Sequence, residues 1–417
     1  GEQALLTDRN GHHSTAIGHS ALANQDFATT SDSNNTAVGY NAGLSVTTGI
    51  QNTLIGALAG DALTTGQENV ALGYGALGGD DVGNHSTALG WNALISQNYA
   101  TSTDSNNTAV GWNSGSSIST AIRNTVVGSH TGDALTTGGE NTALGYFALS
   151  TDTLGSRSTA IGSGALGTQN FTTATNAYNT AVGYDAGVSV TTGTDNVIIG
   201  GLAGDALTDA DRNTAIGRSA LTADTLGSRA VAIGFGTLQT QNFTTATDNY
   251  NVAVGYNSGA ATTTGSLNTL VGGLSGLALT SGNNNTAVGY AALSTDTLGD
   301  RNVAVGASAL AAQNFTTTTD SYNVGVGFTA GASITTGIRN TLMGGLSGDA
   351  LTDADSNVAV GYLALSADTL GTGSVAIGSN ALQTQNFTTA TTTYNVAIGL
   401  NAGLDLTTGI KNTFVGG

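Results

Sequence analysis

Carboxylates that recur at a fixed interval are the first residues in this chain with chemical potential. Asp61, Asp133, Asp205 and Asp349 form one series, and Asp152, Asp224, Asp296 and Asp368 a second. Calcium needs several oxygen ligands around one point. Neighbours within a series are 72 residues apart or a multiple of it (133 minus 61), and that interval proves below to be four turns of a repeat, too far to share an ion. The Gly-Gly-x-Gly-x-Asp pattern of a calcium-binding β-roll is absent. His12, His13, His19, His85 and His130 are confined to the first third. A metal site built on a repeat should recur along it, and these do not. Two Gly-x-Gly-x-x-Gly matches occur, at Gly73-Gly75-Gly78 and Gly162-Gly164-Gly167. A dinucleotide site also needs a preceding strand, a following helix and a downstream acid. No helical segment accompanies either match, so both are read as chance products of a Gly-rich text. No carboxylate pair or Ser/His/Asp set stands out as an active site. The expectation is no catalytic residue, no cofactor and no metal.

Composition narrows the classes further. Gly supplies 62 of 417 residues, and Pro and Cys are absent. Without Cys there is neither a disulfide framework nor a thiolate metal site. Nine basic residues face 27 acidic ones, a net charge of −18, which argues against binding nucleic acid or an anionic membrane. Hydrophobic content of 39% with only 9% charged residues argues against disorder. No apolar run reaches the length of a membrane helix, so no membrane insertion is expected of this segment.

The elements that position these residues follow from a repeat. A Gly preceded by a short Asn-Thr-Ala-Val-like string recurs at Gly18, Gly39, Gly56, Gly73, Gly90 and onward to Gly416. The steps run 21, 17, 17, 17 and sum to 72. Gly1 is in phase, giving 24 phased Gly residues and 23 units. A unit this short is no helical repeat, and β-branched residues with Gly favour strand over helix. Each unit is read as one coil of a parallel β-solenoid, adding a rung about 4.8 Å along the axis. The missing Pro fits, because every backbone N–H in a rung is wanted by its neighbour. Residues 1–417 are expected to form a single continuous array, a section of a longer fibre protein.

Positions are numbered from the phased Gly. Position −1 is Val, Ile, Leu or Met throughout, −2 is Ala in 16 of 23 units, and −3 is Thr in 14 and Val in 9. Three successive strand residues alternate faces, and neither face ever carries a charge here. A half-solvated strand would put polar residues on one face. The second face is therefore expected to pack on another part of the fold or on another chain. Position −4 is Asn in 18 units, among them Asn35, Asn52, Asn69, Asn107, Asn124 and Asn141. Stacked Asn side chains can form a hydrogen-bonded ladder, which is the reading preferred over a plain loop Asn. The phased Gly, as at Gly39, Gly56, Gly73 and Gly90, is read as a place where a Cβ would be blocked.

Position +1 is often aromatic, as in Tyr40, Tyr74, Trp91, Trp112, Tyr256, Tyr290, Phe328 and Tyr362. These rings either stack on sugars or a receptor, or shield backbone at the coil corner, and corner packing is preferred. The 21-residue coil carries four extra residues and its own aromatic, recurring as Phe171, Phe243, Phe315 and Phe387. Insertions in repeats usually bulge on one face, so these Phe residues are candidates for surface contact. Asn170, Asn242, Asn314 and Asn386 precede them in a glycosylation acceptor pattern.

Asn35-Thr36-Ala37-Val38-Gly39-Tyr40 and Ser158-Thr159-Ala160-Ile161-Gly162 resemble the head repeat of YadA-like trimeric autotransporter adhesins. Arrays with a longer unit, similar to Leu63-Thr64-Thr65-Gly66-Gln67-Glu68-Asn69-Val70-Ala71-Leu72-Gly73, occur in phage tail fibres and other surface fibres. The resemblance covers all 23 units. It implies an all-β, left-handed parallel β-roll, three chains about one axis, outside a cell or on a virion. The expected function is a non-enzymatic fibre segment that spaces or displays an attachment function. Expected partners are copies of itself, as a homotrimer or filament, and a host-surface glycan or protein receptor. The alternative is an ice-binding or glycan-binding solenoid, although no Thr-x-Thr rank continues through every coil.

Overall fold

A computed structural model describes residues 1–416. The secondary structure of these residues is strands and turns, without a helix. The chain forms two compact units, Gly1–Asp211 and Arg212–Gly417. In the first, eleven three-residue strands stack from Thr15–Ile17 to Val197–Ile199; in the second, twelve run from Thr214–Ile216 to Thr413–Val415. Each strand pairs in parallel with the next, Thr36 with Thr53 across a 17-residue coil and Thr87 with Thr108 across a 21-residue coil. The strand spacing makes the first ladder about 48 Å long and the second about 53 Å. Each unit is thus a parallel β-solenoid in which one coil supplies one rung.

The strands are short because the phased Gly ends them. Gly39 has φ 144°, and a Cβ there would lie 2.4 Å from the carbonyl oxygen of Gly56 in the next coil. The chain turns at that point with backbone stacked directly on backbone, an approach open to Gly alone. Position −2 points inward: Ala37, Leu54, Ala71 and Ala88 are fully buried. Where it is large, the opposite wall is small. A Cβ on Gly43 would meet the Leu54 side chain at 2.7 Å, where the neighbouring pair of coils carries Leu22 and Leu77 instead. Volume is conserved along the stack, as close packing requires.

Between the first and last ladder strands, only the central residue of each three-residue strand is buried. Thr36 and Val38 flank buried Ala37 with partial exposure, and Val70 and Leu72 flank buried Ala71 while 37% and 47% exposed. No other part of either unit covers this face. Of the two expected covers, another part of the fold is therefore excluded within each unit, and one apolar, uncharged sheet face lies open along the stack.

The longer coil also carries a second, two-residue strand. Thr175–Asn176 pairs in parallel with Gly155–Ser156 of the coil before. Phe171, Phe243, Phe315 and Phe387 do not bulge. They are 5%, 7%, 6% and 7% exposed, so the surface role expected of them is corrected. The aromatic lies inside the coil, where an apolar ring is stabilised more than in water.

Candidate functional site

Three longitudinal arrays carry the chemically distinctive side chains. The first is inside. Asn35, Asn52 and Asn69 are fully buried. The backbone N–H of Asn52 donates to Asn35 Oδ1 at 2.9 Å, and that of Asn69 to Asn52 Oδ1 at 3.0 Å. Each Nδ2 donates across the coil, Asn52 to the Gly66 carbonyl at 2.9 Å and Asn69 to the Gly83 carbonyl at 2.9 Å. Asn107, Asn124 and Asn141 repeat the pattern at 2.8 Å and 3.0 Å. The ladder joins side chain to backbone, so it satisfies peptide groups that a buried coil corner would otherwise orphan.

At the longer coils a buried Asp–Gln–Asn chain enters this ladder. Gln169 Nε2 donates to Asp152 Oδ2 at 2.6 Å, and Asn179 Nδ2 donates to Gln169 Oε1 at 2.9 Å. Asp152 Oδ1 accepts the N–H of Gly155 at 3.0 Å and of Phe171 at 3.2 Å. The same Asp–Gln contact of 2.6 Å recurs at Asp8–Gln25, Asp80–Gln97, Asp224–Gln241, Asp296–Gln313 and Asp368–Gln385. Burial pushes the Asp80, Asp152 and Asp296 carboxyls above their ordinary range, while the Gln and backbone donors pull the other way. The Ser or Ala that replaces Asn at position −4 falls on the coil before: Gln97 Nε2 also reaches Ser86 Oγ at 2.7 Å. Sequence reading overlooked Asp8, Asp80 and all six Gln residues. Their unbroken 72-residue recurrence was the available signal; the Asp61 series, by contrast, is interrupted at Leu277.

The second array is an exposed column at position −5. His13, Arg157, Arg229 and Arg301 share a left-handed backbone, with φ between 61° and 64°. Seven of the nine basic residues sit in this column: Arg123, Arg157, Arg212, Arg229, Arg301, Arg339 and Lys411. Arg123 and Arg157 both bind Glu140, at 3.1 Å and 2.8 Å, and Arg157 donates to the Tyr178 hydroxyl at 2.7 Å. Arg229 pairs with Asp248 and lies 5.4 Å from the Tyr250 ring centre; Arg301 pairs with Asp320 and lies 5.6 Å from that of Tyr322. His13 and His85 occupy the equivalent place, each 3.4 Å from Asp32 and Asp104 respectively. Two of the His residues read as non-recurrent therefore share a recurrent position with Arg157, Arg229 and Arg301, which types differing from coil to coil concealed. Arg157, Arg229 and Arg301 thus each clasp the longer coil that follows, whereas Arg123 binds Glu140 of a 17-residue coil.

The third array is the aromatic column at position +1. Tyr40, Trp91, Tyr184, Tyr290 and Phe328 are 55% to 63% exposed. In the first unit the column borders rings at position +2, His130 and Phe147. His130 packs between Trp112 and Phe147 with ring centres 4.5 Å and 5.2 Å away, and its Nδ1 lies 2.9 Å from Asp133. Asp61 and Asp349 lie at the same corner as Asp133, half-buried, and burial pushes both carboxyls up. Among the described residues no three His, Asp or Glu side chains are grouped to hold a metal ion, and no helix is long and apolar enough to cross a membrane.

No known family model matches the chain, and no curated protein matches it.

Proposed function

We propose that this chain is a non-enzymatic structural segment of an extracellular fibre, on a cell surface or a virion, that spaces or displays an attachment function. The observation that carries the reading is the open sheet face. Positions −3 and −1 present uncharged Thr, Val, Ile and Leu on every rung, and nothing in either unit covers them. A contiguous apolar strip of this kind marks an association surface. Copies of the same chain, three about one axis, are the proposed cover. The resemblance to adhesin-head and tail-fibre repeats supports the same arrangement. A solenoid whose every coil contacts only its neighbours is suited to setting a distance, since each coil adds a fixed rise.

Sedimentation equilibrium of the purified chain tests the assembly. A species of three times 41.0 kDa is expected, and a stable 41.0 kDa monomer across the concentration range overturns the trimer. Incubation with candidate surface polysaccharides tests the non-enzymatic part, where release of shorter products would overturn it.

A further inference from the structure

We propose that the position +1 row of the second unit, Tyr256, Tyr290, Phe328 and Tyr362, is a binding track for an extended, uncharged, β-linked polysaccharide. In this stretch rings alternate strictly with small residues: Gly273, Ala307 and Gly345 occupy the intervening coils. Successive rings are therefore two rungs apart, about 9.6 Å. That is beyond the reach of ring–ring stacking, for which centres lie within about 7 Å. Tyr256 stacks on Phe235 of the coil before, with ring centres 5.7 Å and planes 13° apart, but the four rings do not stack on one another.

The small residues set the pose of the rings. A Cβ on Gly273 would lie 3.6 Å from Tyr290 Cδ2, and a Cβ on Gly345 would lie 3.7 Å from Tyr362 Cδ2. Each of these rings thus leans over the glycine of the preceding coil and rests against its backbone. The four rings are 57%, 62%, 63% and 55% exposed. One face of such a ring is supported and the other is offered to solvent, which is the pose for stacking against the C–H face of a sugar. Tyr adds a hydroxyl that can bond a sugar hydroxyl at the ring edge.

Spacing and charge select the polymer. A β-1,4-linked hexose chain advances by about one rung per sugar and turns over at each step. Every second sugar then presents the same face, in register with a ring on every second rung. From Tyr256 to Tyr362 the row contains no acid or base, its one cation, Arg218, lying two coils earlier beside Phe235, and the chain carries a net charge of −18. Acidic polysaccharides are disfavoured by that field, whereas a neutral glycan is indifferent to it. The inference does not rest on the trimer, because the row lies at the coil corner, past the Gly that ends the open strand.

Retention on insoluble cellulose and chitin, with calorimetric titration of cellobiose, cellotetraose and cellohexaose, tests the track. Retention is expected on at least one of the two polymers, with affinity rising at least tenfold from the disaccharide to the hexasaccharide as further rings engage. The quadruple variant Y256A/Y290A/F328A/Y362A should lose retention tenfold or more while its circular dichroism and melting temperature stay unchanged. If that variant misfolds, the pair Y290A/Y362A is used with the same expectation at smaller amplitude. Retention on neither polymer, undiminished retention by the variants, or retention on heparin alone overturns the proposal. So does a variant that changes only its mass in solution, which would assign the row to a second copy.

Discussion

Replacing Asp296 separates the buried polar chain from simple packing. Asp296 is fully buried and accepts three donors: Gln313 Nε2 at 2.6 Å, the Gly299 N–H at 3.0 Å and the Phe315 N–H at 3.3 Å. Asp296→Ala leaves all three without an acceptor, and each buried orphan costs about 1–3 kcal/mol. Removing a desolvated carboxyl offsets part of that, so a net loss of about 3–5 kcal/mol is expected. In Asp296→Asn, Oδ1 still accepts both backbone N–H groups, but Nδ2 faces Gln313 Nε2. The Gln cannot simply flip, because its Oε1 holds Asn323 Nδ2 at 2.9 Å. One donor is lost, so about 1–2 kcal/mol is expected. Urea unfolding at pH 7 gives the totals, and hydrogen exchange at the Gly299 and Phe315 amides localises them. Exchange should quicken in the Ala variant and stay slow in the Asn variant. Equal losses in the two variants, or a loss under about 1 kcal/mol for Ala, would refute the reasoning.

Four further outcomes are expected. Gly111→Ala places a Cβ 2.4 Å from the Gly128 carbonyl oxygen at φ 133°, and should lower stability by about 2–4 kcal/mol in thermal unfolding. Phe315→Ala, at a 6% exposed site, should cost about 3–5 kcal/mol, whereas Arg301→Ala at the surface should cost at most about 1 kcal/mol. The raised Asp80, Asp152 and Asp296 carboxyls favour the folded state fully below their ordinary value of 3.8 and lose that contribution as pH rises through their elevated values. The urea midpoint should therefore increase from pH 7 toward pH 4; a midpoint flat across that interval refutes the assignment. Asp26 and Glu140, held low chiefly by hydrogen bonds from Arg9 and Arg157, lose their contribution as pH falls further, so the midpoint should drop again in stronger acid.

The coil length and the strand position were legible because the phased Gly is dictated by a single backbone approach, Gly39 against Gly56, that admits no substitute. The buried Asn column was equally visible as a residue type fixed at one place in the coil. What sequence reading missed lies where contact partners belong to different coils. Asp152 and Gln169 are 17 residues apart, and nothing local marks either as interior. Phe171 was misplaced because an insertion was taken to bulge outward, whereas its apolar ring is buried inside the coil. The column holding His13 and Arg157 was hidden because its constant feature is a left-handed backbone rather than a side chain.

The glycine-on-glycine contact has a further consequence for how such a protein changes length. Excising residues 235–306 would join Gly234 to Ala307, and Ala307 already follows a phased Gly at the start of another 21-residue coil. Every surviving turn would keep neighbours of the same type above and below it. Recombination between the repeated stretches of such a gene can therefore shorten or extend the product by whole 72-residue blocks while keeping the order of coil lengths, so reach can change without disturbing the stack of glycines.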